Sequence, residues 1–183
     1  MGAMTIRRSL ICLPLILSAC SPSQKDEQTG ANGYVRVPIP TEPAALETAP
    51  AQPEGGAWRG AANGGIEFGL PGQPALFAVS CTHGSDGAAR LHFVRRTRAE
   101  EGARALMAIE GNLHVARVPM NVTRPGDPGE WQGELDAHLE TAGAIKGGMS
   151  MVATLPGGGA LKMPPSGEGS RLLEACRASG KSG

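Results

Sequence analysis

The sequence has few aromatic side chains and no apolar run long enough to span a membrane. Among its 183 residues are three Phe, two Trp and one Tyr, so an aliphatic core would benefit from covalent support. The one strongly apolar stretch, residues 10–17, has eight positions and contains Pro14, whereas a membrane-spanning helix needs ~20 apolar residues. This stretch is therefore not a permanent transmembrane anchor.

The charge balance gives no argument for a nucleic-acid partner. The chain carries 17 basic and 17 acidic side chains. Removing residues 1–19, with Arg7 and Arg8, leaves 15 basic and 17 acidic side chains, a formal charge of −2. A nearly neutral chain has no overall field that would attract a polyanion.

Familiar catalytic and metal-binding motifs are also missing. The Gly-rich segments 69–74 and 155–160 lack the Lys-Ser/Thr ending of a phosphate loop, and no nucleophile elbow occurs. We therefore predict no metal, no cofactor and no catalytic residue, and we expect that the protein is not an enzyme. Four scattered histidines lie outside any zinc motif: His83, His92, His114 and His138.

Residues 1–19 have the composition of a signal peptide. Arg7 and Arg8 precede the apolar run at 10–17, and small residues follow it. This order of a basic region, an apolar region and a small-residue cleavage site is typical of exported proteins. We expect the segment to be removed.

The four residues 17–20, LSAC, resemble the lipobox of bacterial lipoproteins. The resemblance implies cleavage between Ala19 and Cys20, with two or three acyl chains attached at Cys20. Several acyl chains together hold a protein firmly at a membrane. In Gram-negative lipoproteins an aspartate after the cysteine often retains the protein at the inner membrane, so Ser21 favours the periplasmic face of the outer membrane. The alternative is an ordinary signal peptide with a coincidental cysteine.

Residues 20–57 are rich in Pro, Glu, Ala, Gly and Thr, and we interpret them as a lipidated N-terminus followed by a disordered linker. From residue 21 onward, a flexible coil of this length would span ~30 to 35 Å and an extended polyproline-like chain ~115 Å. Residues 33–40 could form an extended partner-binding strip or simply part of the solvated linker. A single globular domain is expected over 58–177, with a flexible tail at 178–183.

Within 58–177 the apolar residues follow a period of two, interrupted by Gly, Pro and Asp. The pattern predicts a mainly β domain: a small antiparallel β-sandwich or partly open barrel with a short C-terminal α-helix. Pro119 argues for an edge position or a break in its strand. The predicted strands cover residues 75–82, 90–97, 105–111, 113–124, 131–137, 149–157 and 160–165.

The C-terminal segment has a helix pattern. Ser166 is the predicted N-cap, and Leu172, Leu173 and Cys176 share one face at spacings of three and four. A second short helical turn is predicted within 135–143.

Cysteine usage points to a single disulfide. Cys12 would leave with the signal peptide and Cys20 would carry lipid, so Cys81 and Cys176 remain in an exported domain. A bridge between them would close a loop of about 95 residues, worth ~4 to 5 kcal/mol in the chain-entropy model. The alternative is two unlinked buried thiols.

A basic stripe is predicted on one strand face near residue 94, where it could receive an anionic polymer, a lipid headgroup or a carboxylate. The alternative is a solvated face balanced by Glu100 and Glu101. Arg95 falls on the opposite face. The stripe residues are Arg90, His92, Arg96 and Arg98, with the three arginines as candidate anion ligands.

The arrangement of lipobox, proline-rich spacer and small β domain resembles small lipoproteins of Gram-negative envelopes, and more loosely the lipoprotein inhibitors of lysozyme. The first resemblance implies a non-enzymatic binding or structural module that contacts the membrane through the lipid at Cys20, with a cell-wall polymer or an envelope protein as partner. The second implies inhibition of a cell-wall hydrolase, for which residues 122–130 are the best candidate for a protruding loop. The favoured alternative is that these residues form a plain connection.

Overall fold

The computed structural model describes residues 52–180, which form an antiparallel β-sheet followed by one α-helix. The predictions on the signal peptide, on Cys20 and on the linker up to residue 51 lie outside this range. The strands are β1 (Ala57–Gly60), β2 (Ile66–Gly69), β3 (Phe77–His83), β4 (Ala89–Ala99), β5 (Arg104–Gly111), β6 (His114–Arg124), β7 (Gly126–Asp136), β8 (Met151–Leu155) and β9 (Gly159–Met163). A 3₁₀ helix (Glu140–Lys146) follows β7, and α1 (Glu168–Ser179) follows β9.

The nine strands curl into a nearly closed barrel with the order β1-β2-β3-β4-β7-β6-β5-β8-β9. The prediction of a mainly β fold with a C-terminal helix is confirmed, and of its two forms the barrel is observed. Side chains bridge the gap between β1 and β9. The amide of Gln52 donates to Ala160 O at 2.6 Å and accepts from Lys162 N at 2.8 Å, while Trp58 Nε1 donates to Pro164 O at 2.9 Å.

The core fills the barrel because alternate residues of each strand point inward. In β4, Ala89, Leu91 and Phe93 are fully buried, whereas Arg90 and His92 between them are partly exposed. The aromatic side chains are few but concentrated on one side of the barrel, where Trp58 packs near Phe68 and Phe77, and Phe77 near Phe93.

One end of the barrel is covered by α1 and the 3₁₀ helix. Leu172, Leu173 and Cys176 are buried on one face of α1, as predicted. Arg177 Nε donates to Ala137 O at 2.7 Å, which ties the last turn of α1 to the end of β7. β4 begins and β5 ends at this covered end. At the opposite end of the barrel, β4 ends and β5 begins. We call that opposite end the mouth.

Residues 122–130, predicted as a protruding loop, are almost entirely strand. Val122 pairs with Trp131 and Arg124 with Glu130, and Thr97 of β4 pairs with Gly129. The expectation of a free loop is wrong because the turn residues here form a tight hairpin tip held against β4.

Other differences concern element boundaries. β1 and β2 were not predicted, and their four-residue lengths leave little pattern to detect.

β6 does not break at Pro119. The ladder between β6 and β7 begins at the next residue, Met120, so no hydrogen bond of that ladder requires the N–H that proline lacks. The N-cap of α1 is Gly167, one residue after the predicted Ser166, whose hydroxyl nevertheless accepts from Glu168 N. The helical turn predicted at 135–143 is the 3₁₀ helix.

Candidate functional site

A cleft of about 240 Å³ opens at the mouth. It lies between the turn that joins β4 to β5 and the turn that joins β8 to β9. Its walls combine two guanidinium groups, one carboxylate, one indole and several small apolar groups. We call it the mouth cleft, and its residues are Arg98, Glu100, Ala103, Arg104, Ala105, Trp131, Pro156 and Gly157.

The mouth cleft exists because β5 and β8 separate before they reach the mouth. Their ladder covers only Ala108 to Glu110 on β5. Continuing its register would place Pro156 opposite Leu106, and proline has no N–H to donate to a ladder. Within the described part of the chain, residues 104–107, the mouth half of β5, therefore have no strand partner on the β8 side.

Trp131 of β7 forms an apolar wall of the cleft. Its indole Nε1 donates to Arg98 O at 3.0 Å, and only 5% of the residue is exposed. Because the polar edge of the ring is already hydrogen-bonded, the indole is fixed in position and offers an apolar surface.

The charges of the mouth cleft are unevenly paired. Arg98 lies 3.6 Å from Glu100. Arg104, at the start of β5, makes no hydrogen bond or ion pair within residues 52–180. With two guanidiniums and one carboxylate, the cleft carries a formal charge of +1.

Arg95 is buried beside the mouth, with 3% of the residue exposed. It points inward and pairs with Trp131 across the β4–β7 ladder. One terminal nitrogen, Nη1, donates to Leu76 O at 3.2 Å and to Arg96 O at 2.9 Å, while Nε has no hydrogen-bond partner. Burial lowers the pKa of this guanidinium to about 10. Arg95 was predicted on the face opposite the stripe, and this is where it lies.

The predicted basic stripe does lie on the outer face of β4, but carboxylates accompany it. Arg90 is 3.4 Å from Asp86 and 3.9 Å from Glu134. Arg96 is 3.1 Å from Glu130, and it also donates to Ala75 O at 2.8 Å. The third arginine, Arg98, has Glu100 beside it in the mouth cleft. These ion pairs favour the balanced-face alternative, with Asp86, Glu130 and Glu134 as additional partners that the sequence analysis did not name.

Glu130 is the most connected of these carboxylates. Burial on its own raises the pKa of Glu130, but three neighbours outweigh it and lower that pKa below its usual value. Gln132 Nε2 donates to the carboxylate at 2.8 Å, and Arg96 and Arg124 supply positive charge at 3.1 and 3.8 Å. The network fixes the outer faces of β4, β6 and β7 near the mouth.

Cys81 and Cys176 form a disulfide, with their Cα atoms 5.4 Å apart. The predicted pairing is confirmed. The bridge joins β3 to α1 at the covered end of the barrel, so it supports the scaffold and does not contribute to the mouth cleft.

Of the residues proposed from sequence, only Arg98 lines the mouth cleft. Arg104 and Trp131 were not recognised as site residues, because a single arginine at a strand start and a buried tryptophan are common in β domains. They come together only because β5 and β8, which are distant in the sequence, pair and then separate before the mouth.

Over residues 52–180 no three His, Cys, Asp or Glu side chains are grouped to hold a metal ion. In the same range no helix has the length and apolarity to cross a bilayer.

The chain matches no protein-family model, no curated protein and no solved structure. Its function is therefore inferred from the chemistry of the barrel and of the N-terminal sequence.

Proposed function

We propose that the protein is a lipid-anchored lipoprotein of the Gram-negative envelope, held through Cys20 at the periplasmic face of the outer membrane. The barrel acts as a non-enzymatic binding module, and the mouth cleft is its binding site. The observation that carries this proposal is the guanidinium of Arg104, which has no partner within residues 52–180, in a cleft whose strand edge is also unpaired in that range.

The chemistry of the mouth cleft favours binding over catalysis. Its one acidic side chain, Glu100, is exposed and lies 3.6 Å from Arg98, and among the described residues no Ser, Thr, Cys, Tyr, His or second carboxylate lines the cleft beside it. The cleft therefore offers neither a nucleophile nor a second proton-transferring side chain. The remaining groups can hold a ligand through charge and apolar contact.

The partner class follows from the expected location and from the cleft. An envelope lipoprotein has access to the cell-wall polymer and to other envelope proteins, and both contain carboxylates. A guanidinium binds a carboxylate through two parallel hydrogen bonds, which gives orientation as well as affinity. We therefore propose a carboxylate-bearing envelope component as the ligand, with the cell-wall polymer first.

A sedimentation experiment tests the proposal. The purified full-length protein in mild detergent is incubated with purified cell-wall sacculi, and the bound fraction is measured after centrifugation. Arg104→Ala should reduce the bound fraction severalfold. Arg117→Ala is the matched control, because Arg117 lies exposed on β6, also makes no ion pair in the described range and does not line the cleft.

Two outcomes would contradict the proposal. Equal sedimentation of the Arg104→Ala variant and the parent would exclude the mouth cleft as the binding site. Inhibition of lysozyme by the parent, without binding to sacculi, would instead support the hydrolase-inhibitor alternative. The hairpin tip at 125–129, paired to β4, lends that alternative no additional support.

A further inference from the structure

We propose that the mouth cleft binds the C-terminal end of a short extended peptide, with its carboxylate on Arg104 and its backbone along the free edge of β5. This inference rests on the proposed function and specifies its ligand. Three features of the cleft support it: a strand edge and a cation that both lack a partner among residues 52–180, and small apolar walls.

The strand edge can pair with a peptide backbone. Val122 N donates to Ala103 O at 3.1 Å, so Ala103 faces β6. Backbone groups in an antiparallel strand alternate in direction, and the N–H and C=O groups of Arg104 and Leu106 therefore face the side from which β8 has departed. An extended peptide that adds a strand to such an edge gains main-chain hydrogen bonds without requiring a particular sequence.

The guanidinium of Arg104 would favour the C-terminal end of the peptide, which carries a carboxylate. Arg104 begins the free edge, so a carboxylate bound to its guanidinium would place the last peptide residue beside that edge. The charge of +1 in the cleft matches one carboxylate. Glu100, held near Arg98 at 3.6 Å, would repel a second negative charge, which disfavours phosphates and polyanions.

The walls limit the size of the terminal side chains. Ala103, Ala105 and Pro156 line the cleft together with the indole of Trp131, so small apolar side chains suit these walls. A volume of about 240 Å³ is below the ~300 to 1,000 Å³ of pockets that hold drug-sized ligands. One or two residues of the size of alanine are therefore the ligand class that fits.

Defined peptides test this inference separately from the proposed function. The probes are N-acetyl-Ala-Ala with a free carboxylate, the same dipeptide as its C-terminal amide, and the free acid with an N-methylated last residue. Binding to the full-length protein in detergent is measured by calorimetry. We expect the free acid to bind at least tenfold more tightly than the amide, and N-methylation to weaken binding because it removes an N–H needed at the strand edge.

Variants then assign the contacts. Arg104→Ala should abolish the preference for the acid over the amide, whereas Arg117→Ala should leave it unchanged. Equal binding of acid and amide by the parent would overturn the inference, as would an unchanged preference in the Arg104→Ala variant.

The sacculus experiment separates the two proposals. If sacculi bind in an Arg104-dependent manner but none of the dipeptides binds, the peptide-end inference is wrong and the proposed function stands. If neither binds, both are wrong. If the free dipeptide acid binds but sacculi do not, the inference holds with a protein C-terminus as the source of the peptide end, and binding to envelope extract should then depend on Arg104.

Discussion

Arg95 is a buried cation whose hydrogen bonds go to backbone carbonyls and not to a carboxylate. Burying a charge costs free energy unless partners replace its hydration. Here two carbonyl contacts offset part of that cost, Nε is left without a partner, and burial lowers the pKa to about 10. The residue therefore contributes packing to the barrel at an electrostatic cost.

We accordingly expect Arg95→Met to leave the free energy of unfolding unchanged or to raise it by up to about 2 kcal/mol, because a long apolar side chain keeps the volume and removes the charge. Urea denaturation at neutral pH measures this. Arg96→Met is the matched control on the next residue, and it should lower stability because it breaks the contacts with Glu130 and Ala75 O. If Arg95→Met lowers the free energy of unfolding by more than about 1 kcal/mol, the hydrogen bonds from Arg95 to the two carbonyls stabilise the fold by more than burial of its charge costs.

Glu130 gives a pH-dependent prediction. Its pKa in the folded protein is lowered, so the stability that it contributes is fully present above its unfolded pKa and is lost as the pH falls through the folded value. Glu130→Gln should therefore reduce stability by about 1 kcal/mol at pH 7.

The difference between Glu130→Gln and the parent should shrink as the pH falls below the ordinary range of a glutamate. Urea denaturation at pH 7 and near pH 3 measures it. Glu134→Gln is the control, because that carboxylate is more exposed and lies 3.9 Å from its arginine. If Glu130→Gln lowers the free energy of unfolding equally at both pH values, the charge of Glu130 does not contribute to stability.

At the scale of elements, the contact between α1 and the 3₁₀ helix is close enough to require a glycine. A Cβ atom added at Gly169 would overlap Ile145 O, whereas one at Gly167 meets nothing within 4 Å. Gly169→Ala should therefore push α1 away from the 3₁₀ helix and lower stability by about 1 to 3 kcal/mol.

Gly167→Ala is the control for Gly169→Ala, since it lies two residues away with an ordinary helical φ of −69°. Thermal unfolding followed by circular dichroism compares the two variants with the parent. If both variants unfold at the same temperature as the parent, the close approach of the two helices is not required for the fold.

At the scale of the whole molecule, the barrel has two ends with different roles. Two helices cover one end, and the Cys81–Cys176 bridge ties it together across 95 residues. A loop of that length is worth about 4 to 5 kcal/mol in the chain-entropy model. The other end holds the mouth cleft, for which we propose ligand binding.

The membrane tether is a prediction from the N-terminal sequence. Cys20→Ser should abolish acyl incorporation and move the protein from the membrane fraction to the soluble fraction, because the lipid and not a helix provides the anchor. Metabolic labelling with a fatty acid and fractionation by centrifugation measure both effects. A variant that still carries lipid and sediments with membranes would exclude the lipobox interpretation.

Much of the fold was predictable because local patterns carry it. The alternation along β4 as far as Arg96 and the helical spacing in α1 depend on neighbours within a few residues, and they identified those elements. The disulfide was predicted by elimination, on the expectation that Cys12 leaves with the signal peptide and Cys20 carries lipid, which leaves Cys81 and Cys176. β1 and β2 were missed because their four residues each give too short a period to recognise.

The sequence by itself determined which side of β4 each arginine occupies, since that depends only on the period of two, and which two thiols were left to pair. It did not determine which strands are neighbours. Residues 42 to 46 positions apart, such as Ala108 and Thr154, form a ladder that ends before the mouth. Only this tertiary pairing exposes the edge of β5 beside Arg104, because a missing strand partner depends on where distant segments stop pairing and not on any local pattern.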